Sequence, residues 1–486
     1  MDISRLSREE HSSRSQIEFA IIERLRFDKA ALKRCALVCR RWRYISQSHL
    51  FSFISLPSSR LADFVTTLSV NPTLGGHLRS IDFRGQANVG YVPLPLPLLG
   101  HLLCYLPHLS ELYISSSSLE ASYPYPPRME LTGGSWRPSS LDLLSFYNCT
   151  APDSSVMPLL WLLCLFSRIG RLSITEANWE DGAVEEVPAE DCNTPAIHAI
   201  TIESIPEDVD VCLFDLLEVS GSLAGPLREL DIHILRDRPG TPNLLTDIVD
   251  RGAQGLRKLR INICSLNRPC MLFEFVDLDF ANLPALEELT LVVQRGGWTM
   301  NTVTNTSFLR AWLSIWTRFV RTAAPALHTV TLELDAMTES FGRFLASVRH
   351  ACEHDQKHRD AWAALDAALA GRTPALRRVE VFVGEDRASV KAHIQGPLEE
   401  LLRSCLAQTW ATGRASFAWF EPWMVNDWAR DAPPRVIVLN EEGEEFDFED
   451  MVKGDDGSDD EEDMEEDGDE SGEDDDMGDD DEFPGK

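Results

Sequence analysis

The sequence predicts an α/β chain: a curved parallel sheet of short strands, stacked in chain order and backed by helices. A small all-α module is expected before it and an acidic tail without a core after it. Three observations carry this expectation. A spaced apolar triplet, Lxx(L/I/V)x(L/I/F/V), recurs ten times between Leu78 and Leu376. Stretches between the copies place apolar residues at helical steps. Charge is also unevenly spread: of the net −33, residues 441–486 hold −25, from 27 Asp/Glu against 2 Lys.

The triplet reads "LRSIDF" at Leu78, "LSELYI" at Leu109, "LDLLSF" at Leu141, "IGRLSI" at Ile169 and "IHAITI" at Ile197. It continues as "LRELDI" at Leu227, "LRKLRI" at Leu256, "LEELTL" at Leu286, "LHTVTL" at Leu327 and "LRRVEV" at Leu376. Successive starts are 31, 32, 28, 28, 30, 29, 30, 41 and 49 residues apart. The last two apolar positions lie two residues apart, so both face one side of a strand. The first packs into the turn that enters it. One such strand cannot bury itself, so neighbours must stack side by side. Residues 209–223 and 241–255 read as returning helices, the second closing on glycine. The solenoid is thus expected over 57–385. The two long steps hold amphipathic stretches, 307–323 as one helix and 341–371 as one or two. "PLPLPLL" (93–99) is assigned to a convex-side loop. Residues 386–440 should close the open end, with Trp410, Trp419, Trp423 and Trp428 in the core of that cap.

Residues 1–14 are expected to be disordered, and residues 15–56 to form the helical module. "QIEFAIIERL" (16–25) supplies a first helix and "DKAALKRCALVCRRWRYISQSHLF" (28–51) the next, with Asp28 as N-cap. Leu32, Cys35, Ala36, Cys39 and Trp42 then form one apolar stripe. "SFISL" runs out as an extended exit. Cys35 and Cys39 lack a second pair to complete a zinc site, and the nearby arginines lack a nucleic-acid-binding fold signature.

Several function classes are disfavoured. The first residues lack the apolar run of a signal peptide, and no stretch is long and apolar enough to span a bilayer. Eleven cysteines without paired spacing read as reduced thiols. The expected location is therefore cytoplasmic and/or nuclear, and the sequons at Asn148 and Asn305 are chance matches. No phosphate loop, nucleophile elbow or HExxH pair is present. His350, His354 and His358 read as an exposed polar helix face. No catalytic residue, metal or cofactor is assigned.

The repeats resemble leucine-rich repeats of the longer, helix-backed kind over residues 74–385, although the asparagine or cysteine that usually follows the motif is mostly absent. Ala31–Phe51 resembles the "aLxxCaLVCRxWxxxSxxxLF" element of an F-box, with Ile21-Ile22 as the paired isoleucines before it. The passage over 64–83 is similar to the one joining an F-box to its repeats in fungal, basidiomycete-like proteins. Ser13 and Arg14 stand where an F-box normally carries Leu-Pro. The resemblance implies a substrate receptor of a cullin–RING ubiquitin ligase, with no chemistry of its own. Its head would bind a Skp-family adaptor, and through it the cullin core, by Ile21, Ile22, Leu25, Leu37, Val38 and Trp42.

Its repeats would hold an unidentified target protein on the concave face. The period-two rule places Asp82, Arg84, Tyr113, Tyr147, Thr175, Glu203, Asp231, His233, Arg260, Asn262, Thr331, Glu333 and Glu380 there. The tail is too charged to fold and serves as a solubiliser or captures basic proteins; membrane and nucleic-acid partners are not expected. The alternative function is a non-enzymatic scaffold, or a chaperone of basic proteins, that recruits no ligase.

Overall fold

A computed structural model describes residues 18–25, 28–85, 91–120, 139–151, 157–176, 194–203, 205, 207–234, 240–264, 278–294, 302–335, 341–372, 375–384, 388–420, 438–439 and 445–446. Residues 1–14 (with Ser13 and Arg14), Trp423, Trp428 and the tail beyond 446 lie outside them. The chain divides into two compact units, Met1–Val436 and Ile437–Lys486.

The first unit opens with helices α1 (residues 18–24), α2 (Lys29–Val38) and α3 (Arg40–Leu50). Asp28 caps α2, its Oδ1 accepting from Ala31 N at 2.8 Å. The single long helix expected from Asp28 onward breaks at Cys39, whose backbone is extended (φ −159°, ψ 168°). Cys39 caps the new helix instead, its sulfur accepting from Trp42 N at 3.5 Å. The break splits the expected apolar stripe: Leu32 and Cys35 are buried, whereas Cys39 is exposed.

The chain then runs through β1 (Phe53–Pro57), α4 (Leu61–Val70), α5 (Pro72–Gly75), β2 (Ser80–Arg84), β3 (Val92–Pro95), α6 (Leu96–Leu103), β4 (Glu111–Ser115) and β5 (Ser117–Glu120). Next come β6 (Ser139–Tyr147), α7 (Met157–Leu163), β7 (Phe166–Thr175), β8 (Ala196–Glu203), α8 (Glu207–Val219), β9 (Glu229–Ile234), α9 (Gly240–Arg251), β10 (Lys258–Cys264) and β11 (Glu288–Gln294). The later part holds α10 (Thr302–Thr322), β12 (Thr329–Asp335), α11 (Phe341–His354), α12 (Gln356–Gly371), β13 (Arg378–Gly384), α13 (Ala388–Cys405), α14 (Ala407–Ala411) and β14 (Ala415–Phe420). In the second unit, β15 (Val438–Leu439) pairs antiparallel with β16 (Glu445–Phe446).

Twelve strands make one parallel sheet whose spatial order is its chain order: β1, β2, β4, then β6 through β14. This is a solenoid-like α/β arrangement, in which each strand adds to the edge left by the one before. All ten apolar triplets lie in it. Their leading residues, from Leu78 and Leu109 to Leu327 and Leu376, are buried, as are strand pairs such as Leu112/Ile114, Ile200/Ile202 and Leu289/Leu291. The hydrogen-bond ladder extends into the turns: Arg257 N and Lys258 N both donate to Arg228 O, and Glu287 N and Glu288 N to Arg257 O. Each repeat thereby satisfies the backbone of its neighbour, which an isolated strand cannot do.

Helices α8 and α9 occupy the expected returning segments, and Gly252 closes α9 at φ +68°. Helix α10 buries Trp312, Trp316 and Phe319. Two expectations are corrected. "PLPLPLL" is not a loop: it forms β3 and the start of α6, with Leu94, Leu96 and Leu99 buried. Proline is tolerated there because the first helical turn needs no N–H donor. His358 is not on an exposed face. Asp355 ends the α11 path and caps α12, accepting from Lys357 N, and this break turns His358 fully inward. Beyond residue 386, α13 and α14 lead into one more parallel strand, β14, and Trp410 packs against the core.

Candidate functional site

Strand periodicity sends one side-chain set of the sheet toward the helices and leaves the other on the opposite face. Register aligns that open face into rows across the strands. One row runs Asp82, Tyr113, Ser145, Ser173, Thr201, Asp231, Arg260, Thr290, Thr331, Glu380. The next runs Arg84, Ser115, Tyr147, Thr175, Glu203, His233, Asn262, Val292, Glu333, Phe382. All thirteen residues that the sequence assigns to this face lie in these two rows. They do not form one cluster, and their exposure differs. Asp82, Asn262 and Thr331 are buried, so they shape the face instead of meeting a guest.

The face is most accessible from β4 to β9. Ser145, Ser173 and Thr201 form a row of hydroxyl residues there, with Tyr113 at one end and Asp231 at the other. Tyr147, 48% exposed, flanks it, and the Glu176 carboxylate, with some burial and Glu203, raises its phenol above the ordinary value. Thr201 Oγ1 is buried, with no hydrogen-bond partner among the described residues. On the other flank Arg171 reaches across β8 to Glu229 at 2.9 Å. Sequence reasoning passed over Ser145, Ser173 and Thr201, although it named Thr175 and Thr331 on the same face. The period-two rule alone places them.

Toward β12 the face becomes a charge network. Arg260 donates to Asp231 Oδ1 at 3.2 Å and to Glu333 Oε2 at 2.8 Å, arching over Thr290 of the strand between. His233 Nε2 lies 3.2 Å from both Arg260 Nη1 and Asp231 Oδ1, and its Nδ1 lies 3.2 Å from Asn262 Nδ2. Burial works to raise the Asp231 carboxyl, but the His233 hydrogen bond and Arg260 outweigh it and hold it below its ordinary value. Burial lowers Arg260, yet the Asp231 and Glu333 charges more than restore it. Arg260, Asp231, His233 and Glu333 thus form one network beside the hydroxyl row. The arrangement suits holding a polar polypeptide segment by hydrogen bonds.

A second surface lies on the N-terminal helices. The α2–α3 break leaves Leu37 (79% exposed) and Val38 (64%) at its elbow, and Phe19, Ile21 and Tyr44 are also exposed. The Arg41–Glu18 ion pair at 3.0 Å and the approach of His49 Nε2 to Glu23 Oε2 at 3.2 Å tie α1 to α3. Of the residues assigned to adaptor binding, Ile21, Leu37 and Val38 are open, and Leu25 and Trp42 are half-buried. Ile22 is fully buried and anchors the module from within.

Among the described residues no group of three or more His, Cys, Asp or Glu is arranged to hold a metal ion. No helix among them is long and apolar enough to cross a membrane. No protein-family model matches the chain, and no curated protein sequence matches it.

Proposed function

We propose that this chain is the target-binding subunit of a cullin–RING ubiquitin ligase, with an F-box-like N-terminal module and a leucine-rich-repeat solenoid. The observation that carries this reading is the exposed aliphatic elbow. Leu37 and Val38, inside the motif that resembles an F-box, face outward on a module otherwise packed around Ile22 and Leu32. Exposed aliphatic residues rimmed by charge, here Arg34, Arg40 and Arg41, mark a protein-binding surface. The polar row from β4 to β9 supplies a second, independent surface for a target. Cys149 adds to the repeat reading: it follows its triplet where leucine-rich repeats carry asparagine or cysteine, and its thiol donates to Ile114 O of the previous repeat at 3.3 Å. The chain then acts by proximity, raising the effective concentration of a target beside the ubiquitin-carrying partner.

Capture of the full chain by purified Skp-family adaptor tests this. Wild type is retained, and Leu37→Asp/Val38→Asp weakens retention at least about tenfold, since removing a hot-spot contact costs about 2 kcal/mol or more. Absence of capture by wild type, or capture indifferent to the double substitution, refutes it. Histone binding that persists without adaptor binding, and is lost on deleting 441–486, supports the scaffold or chaperone reading instead.

A further inference from the structure

Two cysteines that the proposed activity does not use meet near the C-terminal end of the sheet. Cys352 lies in the last turn of α11 and Cys405 ends α13, 53 residues later; their sulfurs are 3.7 Å apart. Both are partly accessible at the edge of the core. Their surroundings are asymmetric. Arg359 donates from Nη1 to Cys352 O at 2.9 Å and to Glu353 O at 2.8 Å, which brings its guanidinium to the C-terminal end of α11 beside the thiol. His358 is fully buried. Trp362 Nε1 donates to its Nε2 at 3.2 Å. On the Cys405 side stands buried Asp366, whose oxygens are taken by Gln408 N, Thr409 N and Thr409 Oγ1 at 2.6–2.8 Å.

We propose that Cys352 and Cys405 form a peroxide-oxidisable dithiol, a modification site at which a disulfide ties the end of α11 to the end of α13. Cys352 supplies the attacking sulfur and Cys405 the resolving thiol. The Cys405 hydrogen bond, with His358 and Arg359, lowers the Cys352 thiol against the effect of burial. The shared hydrogen bond, burial and the Asp366 charge raise Cys405.

In the first step Cys352 Sγ attacks one oxygen of hydrogen peroxide. The O–O bond breaks, hydroxide leaves and takes up the thiol's proton as water, and Cys352 becomes a sulfenic acid. Cys405 Sγ then attacks Cys352 Sγ as it gives up its own proton. The S–O bond breaks and the departing hydroxide leaves with that proton as a second water. Two thiols lose two electrons in all, and one peroxide is reduced to two waters. The sulfurs must approach from 3.7 Å to the bonded separation of about 2.05 Å. Cys149 is the internal contrast. It is buried alone, and burial pushes its thiol up to about 12, so it stays inert.

The test is thiol mapping of the full-length chain after treatment with hydrogen peroxide. Free thiols are blocked with an alkylating agent, and unreduced peptides are analysed by mass spectrometry. The expected result is a linked peptide pair joining Cys352 to Cys405, reversed by a dithiol reductant, with exposed Cys39 and buried Cys149 still alkylatable as monomeric thiols under native and denaturing conditions respectively. Cys405→Ser should leave a sulfenic acid at Cys352 that a cyclic 1,3-dione traps, and Cys352→Ser should leave none at Cys405. Recovery of Cys352 and Cys405 as separate alkylated peptides from peroxide-treated wild type overturns the proposal. So does oxidation of Cys39 ahead of them. The wild-type measurement decides the matter even if a variant fails to fold.

Discussion

Replacing Gly255 with alanine places a methyl group where two consecutive repeats touch through their backbones. Its Cβ would lie 2.1 Å from the Gly225 carbonyl oxygen, 2.8 Å from that carbonyl carbon and 2.9 Å from Leu227 O. None of these atoms can swing aside as a side-chain tip does, so the two turns must separate by about 1 Å to reach an ordinary contact. Two residues further on, Arg257 N and Lys258 N donate to Arg228 O, each at 2.9 Å, and the separation stretches both bonds. Overpacking costs about 1–3 kcal/mol, and each weakened hydrogen bond adds a fraction of about 1 kcal/mol. Removing glycine from the unfolded chain returns about 0.4–1 kcal/mol. The net expectation is a loss of about 1–3 kcal/mol.

Gly225 is the matched control, 30 residues earlier at the corresponding turn. A Cβ there meets nothing within 4 Å, so Gly225→Ala keeps only the gain, about 0.4–1 kcal/mol. Denaturant titration followed by circular dichroism reads both variants, with midpoints compared at equal slope. Gly255→Ala melting at or above wild type, or the two variants shifting alike, would refute the backbone-on-backbone stacking argument.

Arg260→Met removes the cation that Asp231 on β9 and Glu333 on β12 share; partial exposure holds the loss near the lower end of about 3–5 kcal/mol, read as a lowered denaturation midpoint at pH 7. The Asp231 carboxyl is held low in the folded chain, so its stabilisation is complete above the unfolded value and is lost as pH falls through the folded one. The stability gap between wild type and Asp231→Asn should therefore shrink as pH falls below about 4; a gap constant from there down to about pH 2 contradicts that depression. Leu37→Asp/Val38→Asp should leave stability within about 0.5 kcal/mol per site, because neither side chain is buried, and a cooperative melt at the wild-type midpoint checks it.

The strands were legible because their signal is local. Two apolar residues two apart, led by a third, define the face and the entering turn without reference to any neighbour, and Leu109, Leu112 and Ile114 are all buried as that rule requires. The residues of the open face were legible for the same reason. Their grouping was not. Ser145, Ser173 and Thr201 become one row only when three repeats align in register, and nothing in any one repeat marks them. Ile22 differs from Ile21 by one helical step of about 100°, enough to put one inside the module and the other outside.

By itself, then, the sequence determined the ten triplet strands, the returning helices near 209–223 and 241–255, which side of those strands is apolar, and that the last residues are strongly acidic; it did not reveal β3, β5 or β14. Those properties depend on spacing along the chain. The tertiary structure alone decided that Cys39 ends one helix and caps another, that His358 turns inward, and that Cys352 meets Cys405. It also decided that Arg260 pairs with Glu333, 73 residues away and two strands over. Such contacts depend on how repeats of unequal length stack, and a strand separation of about 4.8 Å brings together residues that no periodicity along the chain relates.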